Sequence, residues 1–259
     1  MRAARIAAAV LALVVAGAGP AAAEKLVISL SSSRVLITPN FTGAELVLFG
    51  SVERDAQTVA RHGGYDIVVT VTGPRETVTT FRKARVFGIW VNAQSRTFVR
   101  PPSYLAVLAN RQINDIADLD TLRRTQTGLA RTLLPQEISG DIGDSTRGDP
   151  FRQAFLRLKV EHGLYREQQN AVTFLTPALF RATVPLPDNV PTGIYEIDVK
   201  LFGDGALLTR SPTAFEIVKV GFEQFVAGAA RDHGILYGLA TTLMALLTGW
   251  FASVVFRKD

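Results

Sequence analysis

The residues able to carry out chemistry are few and stand far apart along the chain. The three histidines are His62, His162 and His233, and no two have the H-x-x-x-H spacing of helical metal ligands. The sequence has no cysteine, which excludes thiolate metal sites, c-type haem attachment, disulfides and thiol redox chemistry. We therefore expect no metal site and no cofactor.

The sequence also lacks the common catalytic motifs. It contains no G-x-S-x-G nucleophile turn, no P-loop and no G-x-G-x-x-G dinucleotide motif. Asp141, Asp144 and Asp149 lie in a glycine-containing stretch, but without the spacing and closing glutamate of a calcium loop. We therefore expect a protein that is not an enzyme. The alternative is a hydrolase that brings His62 or His162 together with a carboxylate and a hydroxyl.

Basic residues are the more informative set. Arg82, Lys83 and Arg85 stand together between two predicted strands, and arginine far outnumbers lysine in the whole chain. Because arginine suits oxyanions, lipid phosphates and carboxylates, these three residues are a candidate anion or lipid contact. The alternative for most of the arginines is an ordinary solvated surface. The formal net charge of +5 is partly due to basic residues at the two termini, and we expect no nucleic-acid partner.

The C-terminal segment predicts a membrane span. Ile235–Phe256 contains no charged residue, and as a helix it would be about 33 Å long. That length is enough to cross a hydrocarbon core of about 30 Å. The sequence therefore predicts a single transmembrane helix near the C-terminus, with the lipid bilayer as a partner.

Small residues recur along this predicted helix. Gly238, Thr242, Ala245 and Gly249 follow one another near helical spacing. Small residues at this spacing let two transmembrane helices approach closely, so the four form a candidate helix-pairing face. The alternative is that they belong to a helix that contacts only lipid.

The N-terminus predicts the orientation of the chain. Met1–Ala23 has the basic start, short apolar stretch and small-residue cleavage site of a secretory signal peptide. Arg257 and Lys258 follow the span and would stay in the cytoplasm by the positive-inside rule. The alternative is an uncleaved N-terminal anchor. We expect a signal peptide over 1–23, a periplasmic domain over 24–220, a juxtamembrane helix over 221–234, the span over 235–256 and a cytoplasmic end of residues 257–259.

The exported part predicts a mainly β fold. Short β-branched and alternating runs separated by Gly/Pro turns fill residues 24–99 and return over 171–220. Tyr195 follows a turn and opens an alternating run, as the tyrosine corner of immunoglobulin-like sandwiches does. We expect an immunoglobulin-like antiparallel β-sandwich with a helical insertion over about 101–169, followed by the transmembrane helix. The alternative is two separate β domains on either side of a helical piece.

Three helices are expected within that insertion. Ser103–Asn110 is a short candidate, and Asn114 can cap a second helix with early aspartates and late arginines. Asp149 can cap a third helix, with Pro150 at its first position. The stretch 135–147 is predicted to be a loop.

Four stretches and the terminal anchor resemble a family of uncharacterised alphaproteobacterial single-pass transmembrane proteins. The resemblance implies a Gram-negative inner-membrane protein that faces the periplasm, and it implies no activity, cofactor or site residue. It also associates members with anion-exporter genes of the sulfite type. The stretches are SSRVLITPNFTGAELVLFGSV, DIVVTVTGPRETVTTFRKARVFGIWVN, FLRLKVEHGLY and VPLPDNVPTGIYEIDVKLF.

These observations predict a membrane-anchored periplasmic module that is not an enzyme. It would bind or assist a partner membrane protein, such as an inner-membrane transporter or exporter. Two alternatives remain open: a periplasmic receptor for a small anion that uses Arg82, Lys83 and Arg85, and the hydrolase described above.

Overall fold

The computed structural model describes residues 24–53, 64–138, 141–144, 146, 148–221, 226, 230, 231 and 233–255. Within these ranges the protein is mainly β, as the sequence predicts. The strands are β1 (Lys25–Leu30), β2 (Arg34–Ile37), β3 (Ala44–Glu53), β4 (Asp66–Thr72), β5 (Val78–Val86), β6 (Ile89–Phe98), β7 (Leu105–Ala109), β8 (Pro135–Ile138), β9 (Asp141–Asp144), β10 (Tyr165–Gln168), β11 (Val172–Phe174), β12 (Leu179–Leu186), β13 (Gly193–Gly203) and β14 (Ala206–Lys219). The helices are α1 (Ile113–Ile116), α2 (Leu119–Arg124), a 3-10 turn (Leu129–Arg131), α3 (Pro150–Glu161) and α4 (Gly234–Val255).

The strands form three sheets. A four-stranded sheet has the order β1-β3-β12-β11, and a six-stranded sheet has the order β10-β7-β4-β13-β14-β2. The third sheet is also four-stranded and has the order β5-β6-β8-β9. Pairing is antiparallel except for β10 with β7 and β14 with β2, which are parallel. The fold is therefore largely antiparallel, as the turn signals in the sequence predict.

One apolar core lies between the first two sheets. β3 alternates along its length, so that Leu46, Leu48 and Val52 are buried, and β4 buries Ile67 and Val69 against them. The same cluster contains residues from β1, β11, β12, β13 and β14. Each such aliphatic side chain contributes about 1.5–3 kcal/mol by leaving water. Strands from both halves of the chain thus form one sandwich, and the alternative of two separate β domains is wrong.

Strand β7 corrects the prediction of a helix at Ser103–Asn110. All five residues of Leu105–Ala109 are buried. Ala106 and Leu108 face the sandwich core, whereas Val107 and Ala109 belong to a second cluster beneath α1 and α2. A strand buried on both faces has no alternation of polar and apolar residues, and so its sequence reads equally well as a helix.

The rest of the predicted insertion is only partly helical. The helix expected from Asn114 is divided into α1 and α2, and Asp118 caps α2 by accepting a bond from the Thr121 amide at 3.3 Å. The predicted loop over 135–147 contains the hairpin of β8 and β9, which was not expected. The helix capped by Asp149 is confirmed: its carboxylate accepts bonds from the first amides of α3, and Pro150 begins that helix.

Helix α4 matches the predicted membrane span. Gly234–Ser253 has a mean hydropathy of 1.6 and is the one candidate span in the described part of the chain. None of its apolar stretch is buried against the rest of the protein. The signal peptide predicted over 1–23, the predicted cytoplasmic end and most of the predicted juxtamembrane helix over 221–234 lie outside the described residues.

Three buried tyrosines at or near the starts of strands donate hydrogen bonds to backbone carbonyls. The Tyr195 hydroxyl donates to the Pro191 carbonyl at 2.5 Å, the geometry that a tyrosine corner requires. Tyr104 and Tyr165 donate in the same way to proline carbonyls. Burial raises the pKa of all three phenols, so they remain protonated donors. Each bond gives a backbone carbonyl a donor from a side chain that is distant or four residues away in the sequence.

Replacing Tyr195 with phenylalanine tests this hydrogen bond. We expect Tyr195→Phe to lower the free energy of unfolding by about 1–3 kcal/mol, because the Pro191 carbonyl loses its donor in a buried setting. Chemical denaturation of the full-length protein in mild detergent measures the change. Tyr237→Phe, the same change in α4 and outside the sandwich, is the control. Equal stability of Tyr195→Phe and the parent protein would contradict the prediction.

Candidate functional site

The three cations singled out in the sequence lie on a β-hairpin. Arg82, Lys83 and Arg85 are part of β5 itself, which corrects the prediction that they lie between two strands. β5 pairs with β6 from Val78 opposite Phe98 to Val86 opposite Ile89. We call this two-stranded element the β5–β6 ribbon. The base of the ribbon is held in the protein, since Phe98 is fully buried and stacks on Phe155 with ring centroids 4.5 Å apart.

The far end of the ribbon is apolar and exposed. Phe87 and Gly88 form the two-residue turn, both with positive φ (48° and 87°), and Phe87 is fully exposed. Ile89 and Trp90 are 68% and 66% exposed, and Val86 is also exposed. We call Val86, Phe87, Ile89 and Trp90 the ribbon tip. An apolar group of this kind on a protein surface marks a place where another surface or a membrane is met.

The cations form a collar behind the ribbon tip. Arg85 lies opposite Trp90 in the pairing, Lys83 lies opposite Asn92, and Arg82 lies next to a bulge in the register. The ribbon contains Arg96 as its fourth basic residue and no acidic residue. In the described part of the chain no ion pair involves Arg82, Lys83 or Arg85. The collar is therefore a positive surface that no carboxylate of the described chain neutralises.

A second candidate site is a groove on the outer face of the six-stranded sheet. It encloses about 690 Å³ between β13, β14 and the turn that follows α2. Its cations are Arg75, Arg124, Lys200 and Arg210, and its carboxylates are Glu196 and Asp198. Arg82, Lys83 and Arg85 do not line it. An anion receptor would therefore use other cations than the three that the sequence suggested.

Lys200 joins the groove to the helical segment. Its ammonium donates to the Thr125 carbonyl at 2.8 Å, at the C-terminal end of α2, and lies 3.7 Å from the Asp198 carboxylate. Lys200 is 5% exposed, and burial lowers the pKa of its ammonium. The carbonyl end of a helix attracts a cation, which favours this contact. Sequence reasoning missed Lys200, although a lysine inside the alternating run EIDVKLF is a visible signal.

The candidate helix-pairing face is open along α4. At 100° per residue, Gly238, Thr242, Ala245 and Gly249 fall on one side of the helix. The Thr242 hydroxyl donates to the Gly238 carbonyl of its own helix at 2.8 Å, and a methyl group added at Gly238 or Gly249 would meet nothing in the protein. Contacts within the described chain therefore do not account for the small residues.

The histidines are not brought together. His162 follows the end of α3 and its carbonyl accepts a bond from Asn189, whereas His233 is exposed just before α4. His62 lies outside the described residues, and neither described histidine lines the groove. Among the described residues there is no group of three or more His, Asp or Glu placed to hold a metal ion.

The sandwich and the apolar helix define a mainly β transmembrane protein. The chain belongs to the family described as "Putative transmembrane protein" (Alph_Pro_TM), whose model matches residues 25–258. This match confirms the family resemblance seen in the sequence. No curated protein and no solved structure matches the chain.

Changing Lys200 tests its structural contribution. We expect Lys200→Met to lower the free energy of unfolding by about 1–3 kcal/mol, because the Thr125 carbonyl loses its donor while the apolar stem is kept. Chemical denaturation of the full-length protein measures the change. Lys219→Met is the matched control, since Lys219 is exposed at the end of β14. The prediction is wrong if the two variants are equally stable.

Proposed function

We propose that the protein is an exported module of the inner membrane, that it has no enzymatic activity, and that it works by contacting a partner membrane protein such as a transporter or exporter. The observation that carries the proposal is α4, an apolar helix that the rest of the described chain leaves uncovered. A helix of this kind contacts lipid or another membrane helix along its whole length. The sandwich is thereby held next to whatever protein pairs with the anchor.

We infer that the sandwich is immunoglobulin-like. In chain order, β1, β3, β11 and β12 occupy one sheet in the arrangement β1-β3-β12-β11, which corresponds to strands A, B, E and D. β4, β13 and β14 lie side by side in the other sheet and correspond to C, F and G. Tyr195 at the start of β13 is where the tyrosine corner of that fold stands. Such sandwiches serve mainly as scaffolds for binding, although fold alone does not assign function.

The orientation rests on the two ends of the sequence. A signal peptide over 1–23 would export the sandwich, and Arg257 and Lys258 would hold the other end of the anchor in the cytoplasm. In a Gram-negative cell this places the sandwich in the periplasm. The module would then contact its partner through the anchor within the bilayer and through the sandwich outside it.

The side of α4 that carries the small residues supports a helix partner. Ala245 belongs to that side, whereas Ala240 lies about 140° away from it around the helix axis. The two alanines therefore offer the same chemical change on two different sides of one helix. Leucine at a close helix contact prevents the two backbones from approaching, while leucine on a lipid-facing side is tolerated.

Matched leucine variants in the anchor test the proposed partner. We expect Ala245→Leu to reduce recovery of a co-purifying membrane protein about ten-fold, which corresponds to a loss of about 1–2 kcal/mol at the helix contact. Ala240→Leu should leave recovery unchanged. The measurement is quantitative mass spectrometry of the full-length protein purified in mild detergent. Equal recovery with both variants, or with an unrelated apolar anchor in place of α4, would contradict the proposal.

A second candidate function is a receptor for a small anion, and the groove is the observation that favours it. Four cations line a cavity large enough for a small molecule, and the two carboxylates leave them in excess. Arginine side chains recognise sulfur and phosphorus oxyanions through paired hydrogen bonds. Lys200 is buried and already bonded to Thr125. The exposed Arg124 and Arg210 are therefore the residues we expect to contact the anion, Arg210 through the N–H groups that its 3.5 Å contact from Nε to the Asp198 carboxylate leaves available.

Thermal shift measurements test the anion receptor. We expect one of sulfite, sulfate, phosphate or a carboxylate to raise the melting temperature of the full-length protein by about 5–10 °C at 100 times its Kd. The double variant Arg124→Gln/Arg210→Gln should abolish the shift. Arg123→Gln/Arg181→Gln, which removes the same charge outside the groove, should retain it. No shift with any of these anions at millimolar concentration would count against this function.

A further inference from the structure

We propose that the ribbon tip enters the interface of an anionic phospholipid bilayer, with Arg82, Lys83 and Arg85 on the lipid phosphates. The inference rests on α4 as the membrane anchor and not on the partner protein of the proposed function. It assigns to the β5–β6 ribbon a second contact with the membrane, which would hold the sandwich in a defined orientation above the lipid surface.

Phe87 is the first argument for the proposal. A two-residue turn with positive φ at both positions favours asparagine, aspartate or glycine, and a bulky aromatic residue there is strained. Phe87 has φ of 48° and is fully exposed, so it gains no burial that would offset the strain. Neither backbone preference nor packing within the described chain accounts for a phenylalanine at this point. Contact with an apolar medium outside the protein does account for it.

The order of residue types along the ribbon is the second argument. Apolar side chains occupy the turn and the first strand pair. Trp90 and Arg85 form the second pair from the turn, and Lys83 and Arg82 follow toward the base. The same order is found across a bilayer interface: apolar side chains contact the hydrocarbon, and tryptophan and cations lie in the headgroup region. A cation near an anionic surface favours binding by about five-fold. The absence of acidic residues from the ribbon means that nothing on it opposes the attraction.

The position of the ribbon in the fold is the third argument. Hydrogen bonds continue from the pair of β4 and β7 toward the ribbon, including the Gly73 amide to the Tyr104 carbonyl and the Ser103 amide to the Pro74 carbonyl, both at 2.8 Å. The ribbon therefore leaves the six-stranded sheet where β4 ends. β14 runs parallel to β4, since both are antiparallel to β13. The C-terminal ends of β14 and β4 therefore lie on the same side of the sheet, at the start of β13. After the end of β14, the chain continues to α4.

Chain lengths show that the tip can reach the membrane that holds α4. The ribbon extends nine residues from Val78 to its turn at Phe87, about 30 Å at 3.3 Å per residue. Residues 220–233 separate Lys219 from Gly234, and fourteen residues span at most about 50 Å. The end of β14 therefore lies at most about 50 Å from the start of the membrane helix. Any separation up to the ribbon length of about 30 Å lets the tip reach the membrane.

Cations on an exposed strand also discourage two sheets from pairing edge to edge, and that role is the main alternative for Arg82, Lys83 and Arg85. Edge protection does not explain the ribbon tip, because exposed Val86, Phe87, Ile89 and Trp90 make an unpaired hairpin more prone to associate. An acidic protein surface could also meet the cations. We favour lipid because the anchor keeps a bilayer within reach at all times.

The two tryptophans of the chain allow a direct test. Trp250→Phe removes the tryptophan of α4 and leaves Trp90 as the sole tryptophan of the full-length protein, which can be excited selectively over the tyrosines. We expect Trp90 emission to shift to shorter wavelength, and to be quenched by brominated acyl chains, in vesicles of phosphatidylcholine with phosphatidylglycerol. Vesicles of phosphatidylcholine alone should give a much smaller effect. In the same background, Arg82→Gln/Lys83→Gln/Arg85→Gln should lower the ratio of inserted to free tip roughly 100-fold at low salt.

Matched variants separate lipid contact from general effects. Arg34→Gln/Arg123→Gln/Arg157→Gln removes the same charge from exposed ion pairs outside the ribbon, and it should leave Trp90 quenching unchanged. Phe87→Ser should reduce quenching while the thermal transition of the sandwich stays the same, because Phe87 makes no buried contact.

Three outcomes would overturn the proposal. The first is Trp90 that stays open to aqueous iodide and unaffected by brominated lipid in both vesicles. The second is equal quenching in neutral and anionic vesicles. The third is a signal that follows protein density at constant lipid composition, which would assign the tip to a second copy of the chain. None of these outcomes bears on the anchor variants that test the proposed function.

Discussion

The apolar core shared by the two large sheets is the contact on which the rest of the structure depends. Cysteine is absent, so no covalent link holds the sheets together, and their stability comes from side chains of β3 and β12 that pack against those of β4 and β13. Because β4 and β13 are the central strands of the six-stranded sheet, they also carry the other features of the molecule. The ribbon continues from β4, and the groove is lined by the outer face of β13.

The two faces of the six-stranded sheet differ in their contacts. Its inner face is apolar and closes the sandwich, whereas its outer face carries Asp198 and Lys200 beneath the end of α2. A buried lysine in such a place requires a carbonyl and a carboxylate within reach, and Thr125 and Asp198 provide them. The short helices are therefore joined to the sheet by polar contacts as well as by the apolar cluster beneath them.

The β5–β6 ribbon is the part of the protein that the core does not support. Its base is packed at Phe98 and by Arg96 over the Phe151 ring. Nearer the turn, the described chain supports the ribbon by cross-strand pairing. An exposed aromatic tip in front of a positive collar is costly for a protein in water. A nearby bilayer removes this cost, because aromatic and basic side chains are stabilised at a membrane interface. The anchor and the ribbon would thus contact the same bilayer.

The sequence by itself determined the features that depend on neighbouring residues: the apolar span, the alternation of β3, the cap and proline that start α3, and the tyrosine at the start of β13. Only the tertiary structure decided β7, whose burial on both faces removes the alternation of a strand, and the hairpin of β8 and β9. The contact of Lys200 with Thr125 joins residues 75 positions apart. No local pattern encodes such a pairing, because it exists only after the core has placed β13 beneath α2.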